Sequence, residues 1–260
     1  MRYSALNSRM LTAQRKQIIL DRLKTTGQVA VTDLSLEWQV SEDTVRRDLR
    51  ELAAEGLVQR VHGGALPASP AIGAYDVRES LSIASKSRIG AAAAALIRSG
   101  QIVAIDGGTS NLQLVRALPL ELACTIVTHS PLIAAELRDH RHIELILIGG
   151  RIFRHSQVAL GAETVEAIGR LHVDLFFLGA TGLHPELGAT TGDWDDAAVK
   201  RAFCRSAAET ILLVSPEKLG AASSFQIVPA KELASIIVDA SCPEESLSAY
   251  RALGIGIIKA

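Results

Sequence analysis

Seven short apolar runs, at residues 102–106, 125–128, 143–148, 174–178, 211–214, 236–239 and 255–258, constrain this chain more than any other feature. Helical patterns lie between them, at 86–98, 111–118, 131–139, 193–208 and 244–252. The runs are largely uninterrupted rather than alternating, so both sides of each strand must be covered. Residues 86–260 are therefore expected to form an α/β domain, a mostly parallel sheet with helices on both faces.

The first 66 residues follow a different pattern. Ile18, Ile19 and Leu23 fall at helical spacing within 13–24, and Gly27 ends that helix. Thr32 is placed to cap a second, short helix carrying Leu34 and Trp38. Ser41 is placed to cap a third, which runs to about Glu55 and closes at Gly56. Residues 57–62 alternate and stop at Gly63-Gly64, a short hairpin. From Pro67 the texture becomes small, uncharged and Pro-containing. The expected organisation is a small winged helix-turn-helix domain at 12–66, a linker at 67–85 and the α/β domain at 86–260.

The third helix carries the chemistry of the first domain. Val45, Leu49 and Leu52 recur at i, i+4 and i+7 and form its buried stripe. Asp43, Arg46, Arg47 and Arg50 then lie on the opposite face. Guanidinium groups there can pair with phosphate or with the acceptor edge of guanine. Ser41 and Thr44, at the helix start, can contact phosphate, while Glu42 and Asp43 can tune base choice. Arg60 and His62 on the hairpin would reach the flanking backbone as a wing. The pattern fits double-stranded DNA better than a solvated or protein-binding face.

Charge sharpens that reading. The formal net charge is −1, which taken alone argues against a bulk nucleic-acid binder. Residues 1–66, however, hold 10 Lys/Arg against 8 Asp/Glu, and the remainder 17 against 20. The positive excess belongs to the segment with the arginine face.

In the second domain the run at 102–106 leads into Gly107-Gly108-Thr109-Ser110 and then a helix. Such a turn fits a phosphate cradle as well as a plain tight turn. It is neither a Walker loop nor a dinucleotide fingerprint. Three further strand ends carry small or hydroxyl residues: Thr128-His129-Ser130, Gly149-Gly150-Arg151 and Gly179-Ala180-Thr181-Gly182. Open α/β sheets bind ligands at such ends. Lys86, Arg151, Lys200 and Lys218 offer positive charge for an anionic ligand, and Asp106 can accept hydrogen bonds from ligand hydroxyls.

Several classes are excluded. The longest charge-free apolar run, 89–97, falls well short of the ~20 residues a membrane span needs. The first 17 residues have no apolar stretch behind their basic residues, so no secretory leader is expected. Cys124, Cys204 and Cys242 are few, odd in number and scattered, which supports neither disulfides nor a metal site and fits a reducing cytoplasm.

The segment Val40-Ser41-Glu42-Asp43-Thr44-Val45-Arg46-Arg47-Asp48-Leu49, followed by Arg60-Val61-His62-Gly63-Gly64-Ala65, resembles the DeoR family of bacterial transcriptional regulators. The resemblance continues through Lys86, Asp106 to Ser110, Thr128 to Ser130, Gly149-Gly150, Thr190 to Arg201 and Glu217 to Gly220. It implies a sensor domain like ribose-5-phosphate isomerase that binds phosphorylated sugars. It further implies a homo-oligomer, dimer or tetramer, that represses a carbohydrate catabolic operon. No cofactor or metal is implied. The chain departs from the family pattern at Gly107-Gly108-Thr109-Ser110 (often Ser-Gly-Thr-Thr), at His129 (often Asn) and at Glu217-Lys218-Leu219 (usually Ser-Lys-Phe). The loop at 179–182 has no acid where the isomerases place theirs, which favours binding without chemistry. An isomerase with a fused DNA-binding module is the alternative.

Overall fold

A computed structural model describes residues 10–69, 71 and 73–260. The reading that no leader occupies the first residues falls largely on 1–9, outside the described residues, as do Pro70 and Ile72 of the linker.

The chain starts with α1 (Thr12–Thr26), which Gly27 closes at φ 74°. A two-residue strand, β1 (Val29–Ala30), leads into α2 (Val31–Trp38). Gln39 turns at φ 53° before α3 (Glu42–Ala54), whose first turn Ser41 caps by accepting from Thr44 N at 3.2 Å. Val45, Leu49 and Leu52 are all buried, each contributing roughly 1.5–3 kcal/mol of apolar burial. They pack on Ile19, Leu23, Leu34 and Trp38.

The hairpin β2 (Val58–Val61) and β3 (Gly64–Pro67) forms an antiparallel sheet with β1, in the order β1-β3-β2. A side chain at position 64 could not coexist with this pairing, since a Cβ there would stand 2.0 Å from Val29 O. Thr32 does not cap α2, whose N-cap is Ala30, two residues earlier and without a side-chain cap. Gly63 O in the hairpin turn instead accepts from Val31 N at 2.7 Å and satisfies the helix start.

The segment expected as a weakly patterned linker has structure of its own. Ala68 bridges to Ala222, α4 (Tyr75–Ser80) follows, and α5 (Ile83–Ala94) begins before the expected 86.

The C-terminal region then runs β4 (Ile102–Ile105), α6 (Thr109–Arg116), β5 (Thr125–Thr128), α7 (Pro131–Glu136) and β6 (Glu144–Leu147). A hairpin follows, β7 (Arg151–Phe153) and β8 (Val158–Leu160), and then α8 (Ala162–Ile168) and β9 (Val173–Leu178). The remainder is β10 (Gly182–His184), β11 (Gly188–Thr191), α9 (Trp194–Ser206), β12 (Ala207–Val214), β13 (Phe225–Val228), β14 (Ser235–Val238), α10 (Glu244–Ala252) and β15 (Gly256–Lys259).

All seven apolar runs enter one seven-stranded sheet, ordered β15-β14-β12-β9-β4-β5-β6, and every pairing in it is parallel. Successive residues face opposite sides. Phe176 packs with Phe203 and Leu212 on one face, Phe177 with Ile89 and Leu114 on the other. At the β6 edge both faces are open: Leu145, Ile146 and Leu147 are 37–50% exposed. The chain order reverses between β4 and β9. Their carboxyl ends therefore form the switch point at which doubly wound sheets bind ligands. A smaller antiparallel sheet, β10-β11-β13, escaped the apolar-run reading because β11 is Gly-Ala-Thr-Thr.

Candidate ligand pocket and nucleic-acid interface

Asp106, fully buried at the end of β4, organises the switch point. Its Oδ1 accepts from Gly107 N and meets His129 Nε2, both at 2.8 Å. Its Oδ2 accepts from Gly179 N at 2.8 Å and from the Lys200 ammonium. Burial alone would raise this carboxyl, but Lys200 and His129 hold it at about 2. With both oxygens engaged by protein donors, Asp106 is not free to accept from a ligand hydroxyl, contrary to expectation. It joins the ends of β4 and β9 into one floor. Gly179 belongs to that floor, since a Cβ there would lie 2.9 Å from Gly107 O and 3.1 Å from Asp106 Oδ2.

Above this floor lies a pocket lined by Lys86, Gly107, Gly108, Thr109, Ser110, Gly179, Lys200 and Lys218 among the expected residues. No side chain caps the start of α6, so its first N–H groups are available to an anion. Arg78, Lys86, Lys200 and Lys218 are each less than a tenth exposed. Burial lowers the Lys218 ammonium to about 7; Glu217 opposes that, while Lys86, Arg78 and Lys200 reinforce it. Lys86 is lowered by burial as well. Lys200 goes the other way, because Asp106 and Asp196 outweigh its burial. Four polar atoms of lining residues are buried without a hydrogen-bond partner: Arg78 Nε and Ser110 Oγ, which can donate, and Asn111 Oδ1 and Asp196 Oδ1, which accept. Buried polar groups are seldom left so. The pocket is cationic, uncapped and polar, the chemistry of an anion site.

Other expected residues lie elsewhere. Thr128 donates to Ile105 O at 2.7 Å and is absorbed by the sheet. His129 sits beneath the floor, Nδ1 donating to Ala159 O at 2.9 Å. Ser130 caps α7. Gly149, Gly150 and Arg151 follow β6, the edge strand, two strands from the switch point, and do not line the pocket. Arg151 is exposed and pairs with Asp195 at 3.0 Å. The reading from sequence missed Arg78, Asn111, Ser156, Thr191, Asp196 and Glu217. A helical signal existed for Asn111, which follows the glycine turn directly, and Asp196 stands one turn before Lys200 on α9.

In the N-terminal region Ser41, Asp43, Arg46, Arg47, Arg50, Arg60 and His62 are exposed, and Glu42 and Thr44 partly so. Arg46, Arg60 and His62 line one groove between α3 and the hairpin. Arg46 pairs with Glu42 at 2.6 Å and Asp43 at 3.5 Å, and Arg47 with Glu51 at 3.2 Å. Exposed pairs of this kind contribute about 0–1 kcal/mol and yield readily to phosphate. Arg50 has no ion-pair partner among the described residues. Asp48 points the other way: it is buried and takes Arg15 Nε at 2.6 Å and Nη2 at 3.1 Å.

Comparison with known proteins places both regions. Residues 15–70 match the DeoR-like helix-turn-helix domain, and 81–240 the DeoR C terminal sensor domain. The HTH-type transcriptional regulator GlpR of Haloferax volcanii is 32% identical over 252 residues, 96% of this chain and 98% of that protein. The HTH-type transcriptional repressor GlcR of Bacillus subtilis is 32% identical over 232 residues, 88% and 89% of the two chains. Among solved structures, the full-length sorbitol operon regulator SorC from Klebsiella pneumoniae aligns over 90% of this chain and 97% of its own, at 12% identity and TM-score 0.42. No helix among the described residues is long and apolar enough to cross a membrane. With its helix-turn-helix and sensor regions both matched, the chain belongs to the DeoR family and is a DNA-binding transcriptional regulator.

Proposed function

We propose that this regulator is a cytoplasmic repressor of a carbohydrate catabolic operon and leaves its operator when a phosphorylated sugar or related metabolite enters the switch-point pocket. The observation that carries the reading is the gathering of four buried basic side chains and two unpartnered donors, Arg78 Nε and Ser110 Oγ, at an uncapped helix start. Lys86, Lys200 and Lys218 supply charge for the phosphate, while Thr109, Ser110 and the α6 N–H groups supply donors. The domain division supporting it is a helix-turn-helix unit near 12–66 and a sensor from about 86. Two copies would present two α3 helices to a palindromic operator. The open β6 edge is consistent with self-association.

Arg50→Ala and Thr109→Ala test the division of labour. Arg50→Ala is expected to weaken binding to promoter DNA by about 1–3 kcal/mol, read by fluorescence anisotropy, with ligand-induced thermal shifts unchanged. Thr109→Ala should retain DNA affinity but need far more of any stabilising sugar phosphate to release it. A Thr109→Ala protein released at the wild-type concentration would remove Thr109 from the site.

Lys218 adds a pH signature. Glu217, Lys86, Arg78 and Lys200 face it, and burial has lowered it to about 7. An anion favours its charged form, so binding takes up a proton when the free ammonium is partly deprotonated. Sulfate, whose charge is constant in this range, should bind with flat affinity below pH 6. Above pH 7 the affinity should weaken toward about tenfold per pH unit. Calorimetry in two buffers of different ionisation enthalpy reads the proton uptake directly. Equal affinity at pH 6 and 8.5 would separate Lys218 from the anion.

A further inference from the structure

Residues 71–80 lie outside both family matches, yet they bring a charged group into the pocket. Arg78, on α4, is 9% exposed and stands in the pocket wall. One end of its guanidinium is anchored: Nη2 donates to His155 O at 3.0 Å and to Ser156 Oγ at 3.4 Å. The Tyr75 ring lies 5.5 Å from its centre. Its Nε, also buried, has no partner. The same residue's carbonyl accepts from the Lys86 ammonium and, at 3.5 Å, from Thr109 Oγ1. The connector is thus tied to the pocket twice, through side chain and backbone. Upstream it is tied again where Ala68 bridges Ala222, one residue past the end of β3 in the DNA-binding hairpin.

We infer that Arg78 is an anion-binding residue of the pocket and that its engagement fixes the connector, so that occupancy is passed to the DNA-binding hairpin by the chain itself. The inference rests on reading the pocket as an anion site. A guanidinium binds phosphate through paired N–H groups, and the unpartnered Nε–H supplies one such donor. An anion there also relieves the crowding of Arg78, Lys86, Lys200 and Lys218. It therefore favours the arrangement in which α4 is seated.

Hydrogen exchange on the full chain, with and without inorganic phosphate, tests this, and calorimetry reports binding separately. Phosphate is expected to slow exchange at 107–111 and also at 75–82 and 64–69. Arg78→Lys, which keeps the charge and loses the planar fork, should fold normally. It should bind phosphate about tenfold more weakly and lose the protection at 64–69 and 75–82. Phosphate binding that protects 107–111 alone would overturn the role of the connector and leave the pocket reading intact. An Arg78→Lys protein with wild-type affinity and protection would overturn the role of Arg78. Absence of any phosphate binding to the wild type would overturn both readings. The wild-type exchange map decides the role of the connector whether or not the variant folds.

Discussion

Replacing Asp48 with alanine is expected to abolish DNA binding although Asp48 is buried, away from the exposed arginines of α3. The change strands the Arg15 guanidinium beside the α3 stripe, where Asp48 takes two of its N–H groups and Met10 O a third. Breaking a buried pair from one side costs about 3–5 kcal/mol. Whole domains are stable by only about 5–15 kcal/mol, and one this small lies near the lower end. The helix-turn-helix unit should unfold at a temperature well below the sensor, shown by early proteolysis within residues 12–66 and a separate calorimetric transition. Removing both partners, Arg15→Met with Asp48→Leu, should recover much of the stability, because no uncompensated charge remains. If Asp48→Ala alone leaves DNA affinity and proteolysis unchanged, the pair does not hold the unit together.

The second large effect is expected at Asp106. Asp106→Asn keeps the size but cannot accept at all of the four donors that converge there. Loss of about 3–5 kcal/mol from the sensor is expected, together with loss of anion binding as the β4 and β9 ends separate. The acid limb of unfolding identifies the cause. Asp106 is held at about 2 in the folded protein, below the ~3.9 of an unfolded chain. Its contribution is therefore present above pH 4 and is lost as pH falls from 4 toward 2. The wild type should show that loss, and Asp106→Asn should lack it. A variant with wild-type stability and the same acid limb would show that Lys200 and His129 are held by other means.

Much of this was readable from residue order, for a physical reason. A parallel strand buried on both faces must be apolar throughout, and each of the seven runs became a strand of the one sheet. The exposed arginines of α3 followed from the period of its buried stripe. What escaped was set by partners distant in the chain. Arg78 lies in a six-residue helix within a weakly patterned segment, and its burial depends on His155 and Ser156 in a hairpin far along the chain. Arg151 carried the right charge after a strand end, but only the sheet order reveals that the strand it follows, β6, is the edge, and Arg151 itself starts the separate hairpin of β7 and β8. Thr32 lost the cap position to Gly63 O, a contact made by the hairpin. Asp48 did leave a signal. It stands within the stripe of Val45, Leu49 and Leu52, and an acid there requires a buried cation.

The contact from Gly63 O to Val31 N constrains how any signal can reach DNA. The hairpin supplies the acceptor that completes the start of α2, and β3 is bonded to β1 on one side and β2 on the other. The wing cannot tilt away from the two helices without opening those bonds. A pull on the chain after Pro67 therefore turns the entire DNA-binding unit as a rigid lever, with the connector as its fulcrum. On the proposed reading, ligand at the sensor changes the angle at which this rigid head is held, while the surface the head presents stays the same.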